Sequence, residues 1–241
     1  MPLVDRRKFL KQLGLAAGGV ALSPVAARAL SAGIRRSGSA EFVFARLRYD
    51  SGDWDYNPKV CANVLDAVVQ YTTIPVNQQE VVITADSPDL GAYPFLFMTG
   101  HKLVRFNEKE REGLRRYVND GGLLFSDDCN HDVNGLYAKS FEAEMQRTFP
   151  SDVLARIPAT HPLYRAFFTF HGPPQTSQEI NGWGDNVVHD YLRGIERHGR
   201  LGVIYANQDY GCEWDYDWKN KRFRARDNTQ FSVNLVVYAM T

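Results

Sequence analysis

The sequence predicts an α/β fold of three layers, in which a mostly parallel sheet is flanked by helices. Three observations predict it. Residues 95–98 (Phe-Leu-Phe-Met) and 123–125 (Leu-Leu-Phe) are apolar runs too short for helices and suited to strands buried on both faces. Between them, residues 108–118 place Leu114, Tyr117 and Val118 on one face and charge on the other, as an amphipathic helix does. Strand-like and helix-like segments then alternate along the rest of the chain. Strand, helix, strand is a right-handed crossover in a parallel sheet, and ligands of such sheets bind outside the carboxyl ends of the strands.

Taken in order, the chain opens with Arg6-Arg7-Lys8 ahead of a moderately apolar run over 13–22, followed by Ala27-Arg28-Ala29. This resembles a bacterial twin-arginine export signal over residues 1–29, cut after a small-x-small site. Residues 30–40 form a polar linker, and the domain occupies 41–241. A strand is predicted over 41–47, then a loop over 48–56 dense in aromatic and carboxylate side chains. Asn57-Pro58 begins a helix reaching about residue 71, with Val60, Val64, Leu65 and Val68 inward. A strand over 80–84 precedes the central unit. There Asn107 and Glu110 have the spacing of a capping box, and Gly121-Gly122 ends the helix. Past Asn130 a helix is expected over 137–149 with Phe141, Met145 and Phe149 in the core, then a short strand over 154–157. Residues 161–170 end in Phe167-Phe168-Thr169-Phe170, and 172–186 are the least regular stretch. A strand over 200–205 places Asn207-Gln208-Asp209 at its end. Residues 213–223 alternate aromatic and charged side chains as an exposed hairpin would, and a helix over 228–240 buries Phe231, Leu235, Val236 and Ala239. The simplest arrangement of this order is flavodoxin-like.

Charge narrows the function. The chain is formally neutral, with 28 basic and 28 acidic residues. Cleavage after Ala29 removes five bases and one acid, which leaves the mature chain at −4. With no basic run, it has little to offer a nucleic-acid backbone. The run over 13–22 falls short of the roughly 20 apolar residues of a membrane span, and none is expected in the mature chain. Cys61, Cys129 and Cys212 are an odd number without a CxxC pair, so a zinc ribbon or thioredoxin-type site is not indicated.

The chemistry is expected at the carboxyl ends of the strands. His101, Asp127, Asp128, Cys129, His131 and Asp209 all follow predicted strands and converge if those strands are parallel neighbours. His101, Asp127 and Asp128 are the candidate ligands of a hard cation; equally, Asp127 and Asp128 can cap loops. Cys129 after a strand, with His161 later, has the order of a Cys-His nucleophilic pair. That arrangement resembles class I glutamine amidotransferases and their non-catalytic relatives, with two departures. Cys129 follows two carboxylates, which disfavour a thiolate, and His161 is followed by Pro162-Leu163 rather than the His-x-Glu spacing. The chain from about Phe42 to Met240 also resembles a bacterial family of domains of unknown function with this amidotransferase-like fold. The resemblance is carried by Arg46-Leu47-Arg48-Tyr49 with Trp54, Tyr93-Pro94, Thr99-Gly100-His101, Leu114-Arg115-Arg116-Tyr117 and Gly121-Gly122. It continues through Asp127-Asp128, His161-Pro162-Leu163, Asp209, Gly211-Cys212, Trp214 and 234–239. It implies a relation to the C-terminal domain of aerotolerance-type membrane proteins and a sensing or scaffolding role in the cell envelope.

The aromatic loops add Trp54, Tyr56, Trp183, Trp214, Tyr216 and Trp218, interleaved with Asp53, Asp55, Asp185, Asp215 and Asp217. Such pairs suit stacking on sugar rings, and equally a lid packed over the sheet. The resulting expectation is a periplasmic binding or assembly module for an envelope protein or glycan-like ligand, with no cofactor named. Its ligand site draws on Trp54, Gly100, His101, Asp127, Asp128, Asp209 and Trp214. The alternative is a hydrolase or transferase acting on a cell-wall or carbohydrate ligand, with Asp127, Asp128, Cys129 and His161 as catalytic candidates.

Overall fold

The central unit forms as its pattern dictates. Strands β1 (Ala45–Arg48), β2 (Val81–Thr84), β3 (Phe95–Gly100) and β4 (Leu123–Asp128) are joined by helices α1 (Val60–Tyr71) and α2 (Glu108–Asn119). The computed structural model describes residues 41–215 and 225–241, so the export signal and linker expected over 1–40 lie outside the described residues. Helix α2 begins at a complete capping box: Asn107 accepts from the Glu110 N–H, and Glu110 accepts from the Asn107 N–H. Four of the first backbone donors lack helical partners, and this pair satisfies two of them. Past α3 (Leu136–Thr148) come the short edge strand β5 (Ala155–Arg156), helix α4 (Ser177–Ile180), strands β6 (Arg193–Arg197) and β7 (Arg200–Ala206), and helices α5 (Tyr210–Asp215) and α6 (Ala225–Met240).

One sheet runs in the order β2-β1-β3-β4-β7-β6-β5. The first five of these are parallel, and β6 and β5 add antiparallel at one edge. Alternation along the strands sorts the core into two halves. Phe44, Phe95, Phe97, Phe125 and Ile204 face α1 and α6, while Leu47, Leu96, Met98, Leu124, Val203 and Tyr205 face α2 and α3. The α/β layering, the mostly parallel sheet and the α6 face of Phe231, Leu235, Val236 and Ala239 agree with expectation.

Two elements differ. Strand β6 was not anticipated, and it pairs with β7 through a two-residue turn in which both His198 and Gly199 have positive φ. The exposed hairpin expected from residue 213 is instead helical at its start. Tyr210 and Trp214 stack one helical turn apart with ring centres 5.5 Å away, and Glu213 is buried. The remainder of that hairpin, with Tyr216, Asp217 and Trp218, lies outside the described residues.

Candidate functional site

Asp127 and Asp128 were expected to follow β4; they are its last two residues, and neither has any solvent exposure. Because successive side chains of a strand point to opposite faces, the pair does not converge on one crevice. Asp127 turns toward α5 and accepts the N–H groups of Tyr210 (2.8 Å) and Gly211 (2.7 Å). Asp128 turns the other way, accepting from the Tyr205 hydroxyl (2.8 Å) and the Asn130 N–H (2.9 Å). Burial pushes both carboxyl groups up, Asp128 to about 6.

Cys129 is still tied to the sheet, its N–H donating to the Gly100 carbonyl at 3.2 Å. Its sulfur is buried between Asn57 Nδ2 (3.1 Å) and Thr99 Oγ1 (3.0 Å), with Asp127 Oδ2 at 3.8 Å. Burial is the main reason the thiol is pushed well above its ordinary range, with Asp209 and Asp127 adding to it. Asn57 is placed by Arg46, a buried guanidinium that donates to the carbonyls of Tyr56 (2.9 Å) and Asn57 (3.1 Å) and pairs with Glu80. The other end of the Asn57 amide faces Cys212 Sγ at 3.6 Å. Cys61, Cys129 and Cys212 are all free thiols.

His161 is not brought to Cys129. Its ring faces Glu196 (3.6 Å) and Tyr238, and Glu196 pairs with Leu201 near the amino end of β7. Cys129 lies beyond the carboxyl end, where Asp127 pairs with Ala206. The five residue-to-residue steps from Leu201 to Ala206 span about 16 Å at about 3.3 Å each. The Cys-His order seen in the sequence is not a Cys-His pair in space.

What the fold does assemble lies between β1 and β3. Strand order reverses there, since β1 continues to β2 on one side and β3 to β4 on the other, and such a point opens a crevice at the carboxyl ends. The loop after β1 carries Asp53, whose Oδ1 accepts the N–H groups of His101 (2.9 Å) and Lys102 (3.1 Å) and whose Oδ2 meets His101 Nδ1 at 3.0 Å. Burial alone raises the Asp53 carboxyl, but these hydrogen bonds outweigh it and hold it below its ordinary value of 3.8. Tyr56, 44 % exposed, sets its ring edge-on to His101 with centres 4.2 Å apart. Gly100, expected to let backbone approach a ligand, serves the protein itself: a Cβ there would lie 2.4 Å from the Tyr49 hydroxyl and 2.8 Å from Asp53 Oδ1. Trp54 packs partly buried on the α2/α3 side of the core.

Trp214 is a correction. Its ring lies in the core against Phe97, Phe125 and Tyr210, out of reach of a ligand. Trp183 is 67 % exposed, so the aromatic residues do not form one surface. Asp209, with φ +60, sits beside Cys129 and Cys212, and one oxygen of its carboxyl lies within 4.8 Å of both sulfurs. Nearby, His131, Asp185 and His189 make a second compact group in which both His131 ring nitrogens, both Asp185 oxygens and His189 Nε2 are engaged. His131 meets the carbonyls of Asn207 and Val187, and His189 Nε2 meets Asp185 Oδ2 at 2.8 Å. His101, Asp127 and Asp128, the expected cation ligands, point three different ways.

The sequence names Asp53 and Tyr56 only as part of the aromatic loops and places neither them nor Asn57 and Cys212 beside His101 or Cys129. The first two stood in the aromatic loop, and a strand order placing that loop beside His101 was the missing signal. A comparison with curated proteins finds no match. The arrangement of β1, the crevice and the closing helix spans the residues recognised by one family model, which matches 43–240, and the chain belongs to that family, Domain of unknown function (DUF4159).

Proposed function

We propose that this chain is an exported binding or assembly module of the cell envelope, on a class I glutamine amidotransferase-like, flavodoxin-like fold that lacks amidotransferase chemistry. The parallel order β2-β1-β3-β4-β7 with its reversal at β1/β3 supports the flavodoxin-like assignment. Arg6-Arg7 and Ala27-Arg28-Ala29 support export. The observation that carries the reading is the enclosure of Cys129. It is held by Asn57, Thr99, Asp127 and Cys212, and His161 stands at the other end of the sheet. A thiol with no histidine beside it, raised by burial and by neighbouring carboxylates, is a poor nucleophile at neutral pH.

Recognition then falls to the crevice surface made by Asp53, Tyr56 and His101. The carboxylate holds the ring through Nδ1, leaving Nε2 for a ligand hydroxyl, and the Tyr56 ring supplies an aromatic face. That combination suits a glycan-like ligand or a polar segment of an envelope protein. The test is co-sedimentation of the purified chain with isolated cell-wall glycan, with glutamine hydrolysis measured in parallel. His101→Ala should weaken retention at least tenfold with little change in melting. Glutamine turnover that disappears in Cys129→Ser would overturn the reading.

The same dyad favours a second reading, a hydrolase or transferase acting on a cell-wall or carbohydrate ligand. The orienting carboxylate would be Asp53, and His101 Nε2 the general base. Release of soluble sugar from the glycan, lost in both Asp53→Asn and His101→Ala, would select it.

A further inference from the structure

Beside the crevice, and independent of it, three side chains from two strand ends meet without an evident structural task. Cys129 follows β4, Asp209 follows β7, and Cys212 lies in the first turn of α5. Their two sulfurs and one carboxylate oxygen all lie within 4.8 Å of one another. We propose that Cys129, Asp209 and Cys212 bind one thiophilic divalent cation of the Zn2+ class.

Donor chemistry and spacing fit. Two thiolates and a carboxylate form a mixed soft and hard set that suits Zn2+, whereas Mg2+ and Ca2+ take oxygen ligands. Tetrahedral coordination at about 2.3 Å for sulfur and about 2.0 Å for oxygen sets ligand atoms about 3.5–3.8 Å apart. Small side-chain movements close the group to that size. Each thiol gives its proton to solvent and its sulfur lone pair to the cation, and a solvent molecule can take the fourth position.

The second observation is an unsatisfied atom. Asp209 is 4 % exposed, and its Oδ1 is buried with no hydrogen-bond partner. Leaving a buried acceptor unpaired is unfavourable, and a cation held by this carboxyl and the two sulfurs would give the carboxyl a partner. The surroundings also suit bound thiolate: Asn57 Nδ2 and Thr99 Oγ1 stand 3.1 and 3.0 Å from the Cys129 sulfur as outer-shell donors. Cys212, the half-buried member, opens the group toward solvent. The neighbouring His131, Asp185 and His189 differ, because both His131 ring nitrogens, His189 Nε2 and both Asp185 oxygens already have protein partners.

The test uses the full chain, purified under reductant with its three thiols counted free, and titrated with Co2+ or Zn2+ alone. One ion per chain is expected, with a thiolate-to-cobalt charge-transfer band and the visible absorption of a tetrahedral site. Cys212→Ser should roughly halve the charge-transfer band and weaken Zn2+ at least tenfold. Asp209→Asn should weaken Zn2+ at least tenfold with the band retained, and His189→Gln should change neither. Each variant is melted first, and Cys212→Ser, at a half-buried position, is the one whose folding is safest. Failure of the reduced wild-type chain to bind stoichiometrically overturns the proposal. So does a band unchanged in Cys212→Ser, or binding lost in His189→Gln instead.

Discussion

Asp127→Asn separates a structural carboxylate from a functional one. In the native chain the two oxygens of Asp127 accept two N–H groups, those of Tyr210 and Gly211, at the start of α5. An amide has one acceptor oxygen, so one N–H loses its partner and faces an NH2 group. The site is fully buried, and water cannot replace the bond. A buried unsatisfied donor costs about 1–3 kcal/mol. Loss of a buried charge offsets part of this, because burial works against the ionised carboxyl. The net expectation is a destabilisation of at most about 3 kcal/mol, which at about 2–4 °C per kcal/mol for a domain of this size lowers Tm by at most about 12 °C. The assay is thermal melting by circular dichroism with a urea titration, beside glycan retention of the folded fraction. His101→Ala is the contrast. It should melt within about 1 kcal/mol of wild type, because Asp53 keeps its two backbone partners, and should lose retention. An Asp127→Asn protein that melts like wild type and fails to bind would refute this division of roles.

Three other outcomes follow from the same geometry. Asp53 has a folded pKa below its ordinary 3.8 because the hydrogen bonds from His101 and Lys102 outweigh burial. Its contribution is therefore present above that value and lost as pH falls through the folded pKa, so the stability gap between wild type and Asp53→Ala should close in acid; a gap constant from pH 7 to pH 3 contradicts it. In the metal-free chain, iodoacetamide at neutral pH should label Cys212 well before Cys129, read by peptide mass spectrometry. The hydrogen bond with Cys129, with help from Asp209 and Asn57, draws Cys212 to about 7, whereas Cys129 is enclosed. Replacing Arg6 and Arg7 together by Lys should leave uncut precursor in the cytoplasm, and normal periplasmic recovery would count against export by the twin-arginine route.

Legibility followed the range of the interaction. The capping box at Asn107 and Glu110, the apolar runs of β3 and β4 and the inner face of α6 are local, and each was readable from spacing. Strand β6 was missed because Arg193, Glu196 and Arg197 make it polar, as an edge-side strand can be. The signal available was the two-residue turn at His198-Gly199. Alternation of Glu213 and Trp214 looked like a strand period, yet Tyr210 and Trp214 four apart carry the helix period that prevailed. The site was least legible. Asp53 meets His101 across 48 positions and Asn57 meets Cys129 across 72, and only the strand order brings those segments together.

Cys129 shows how small a backbone difference sets the chemistry at the carboxyl end of a parallel strand. A nucleophile elbow lifts its residue on a sharp strand-to-helix turn, so that the side chain stands clear of the sheet with a helix N-terminus beneath it. Here the chain turns at Cys129-Asn130, with the His131 N–H donating to the Asp128 carbonyl at 3.4 Å, and runs on into a loop rather than straight into a helix. Cys129 N–H is still bonded to the Gly100 carbonyl, continuing the register that pairs Gly100 with Asp128. Alternation therefore sends the Cys129 sulfur inward, onto Thr99 and Asn57. The helix start that an elbow would place under the thiol belongs instead to α5, where Asp127 takes the Tyr210 and Gly211 N–H groups. Converting this site to a nucleophilic one would need more than a histidine. A His placed at Asn57 would reach the sulfur, but the thiol would remain buried, beside Asp127 and Asp209, with its pKa held up by all three effects. Asn57→His should accordingly leave alkylation of Cys129 slow. Rapid labelling in that variant would show that a missing base, rather than the enclosing register, governs the reactivity of the thiol.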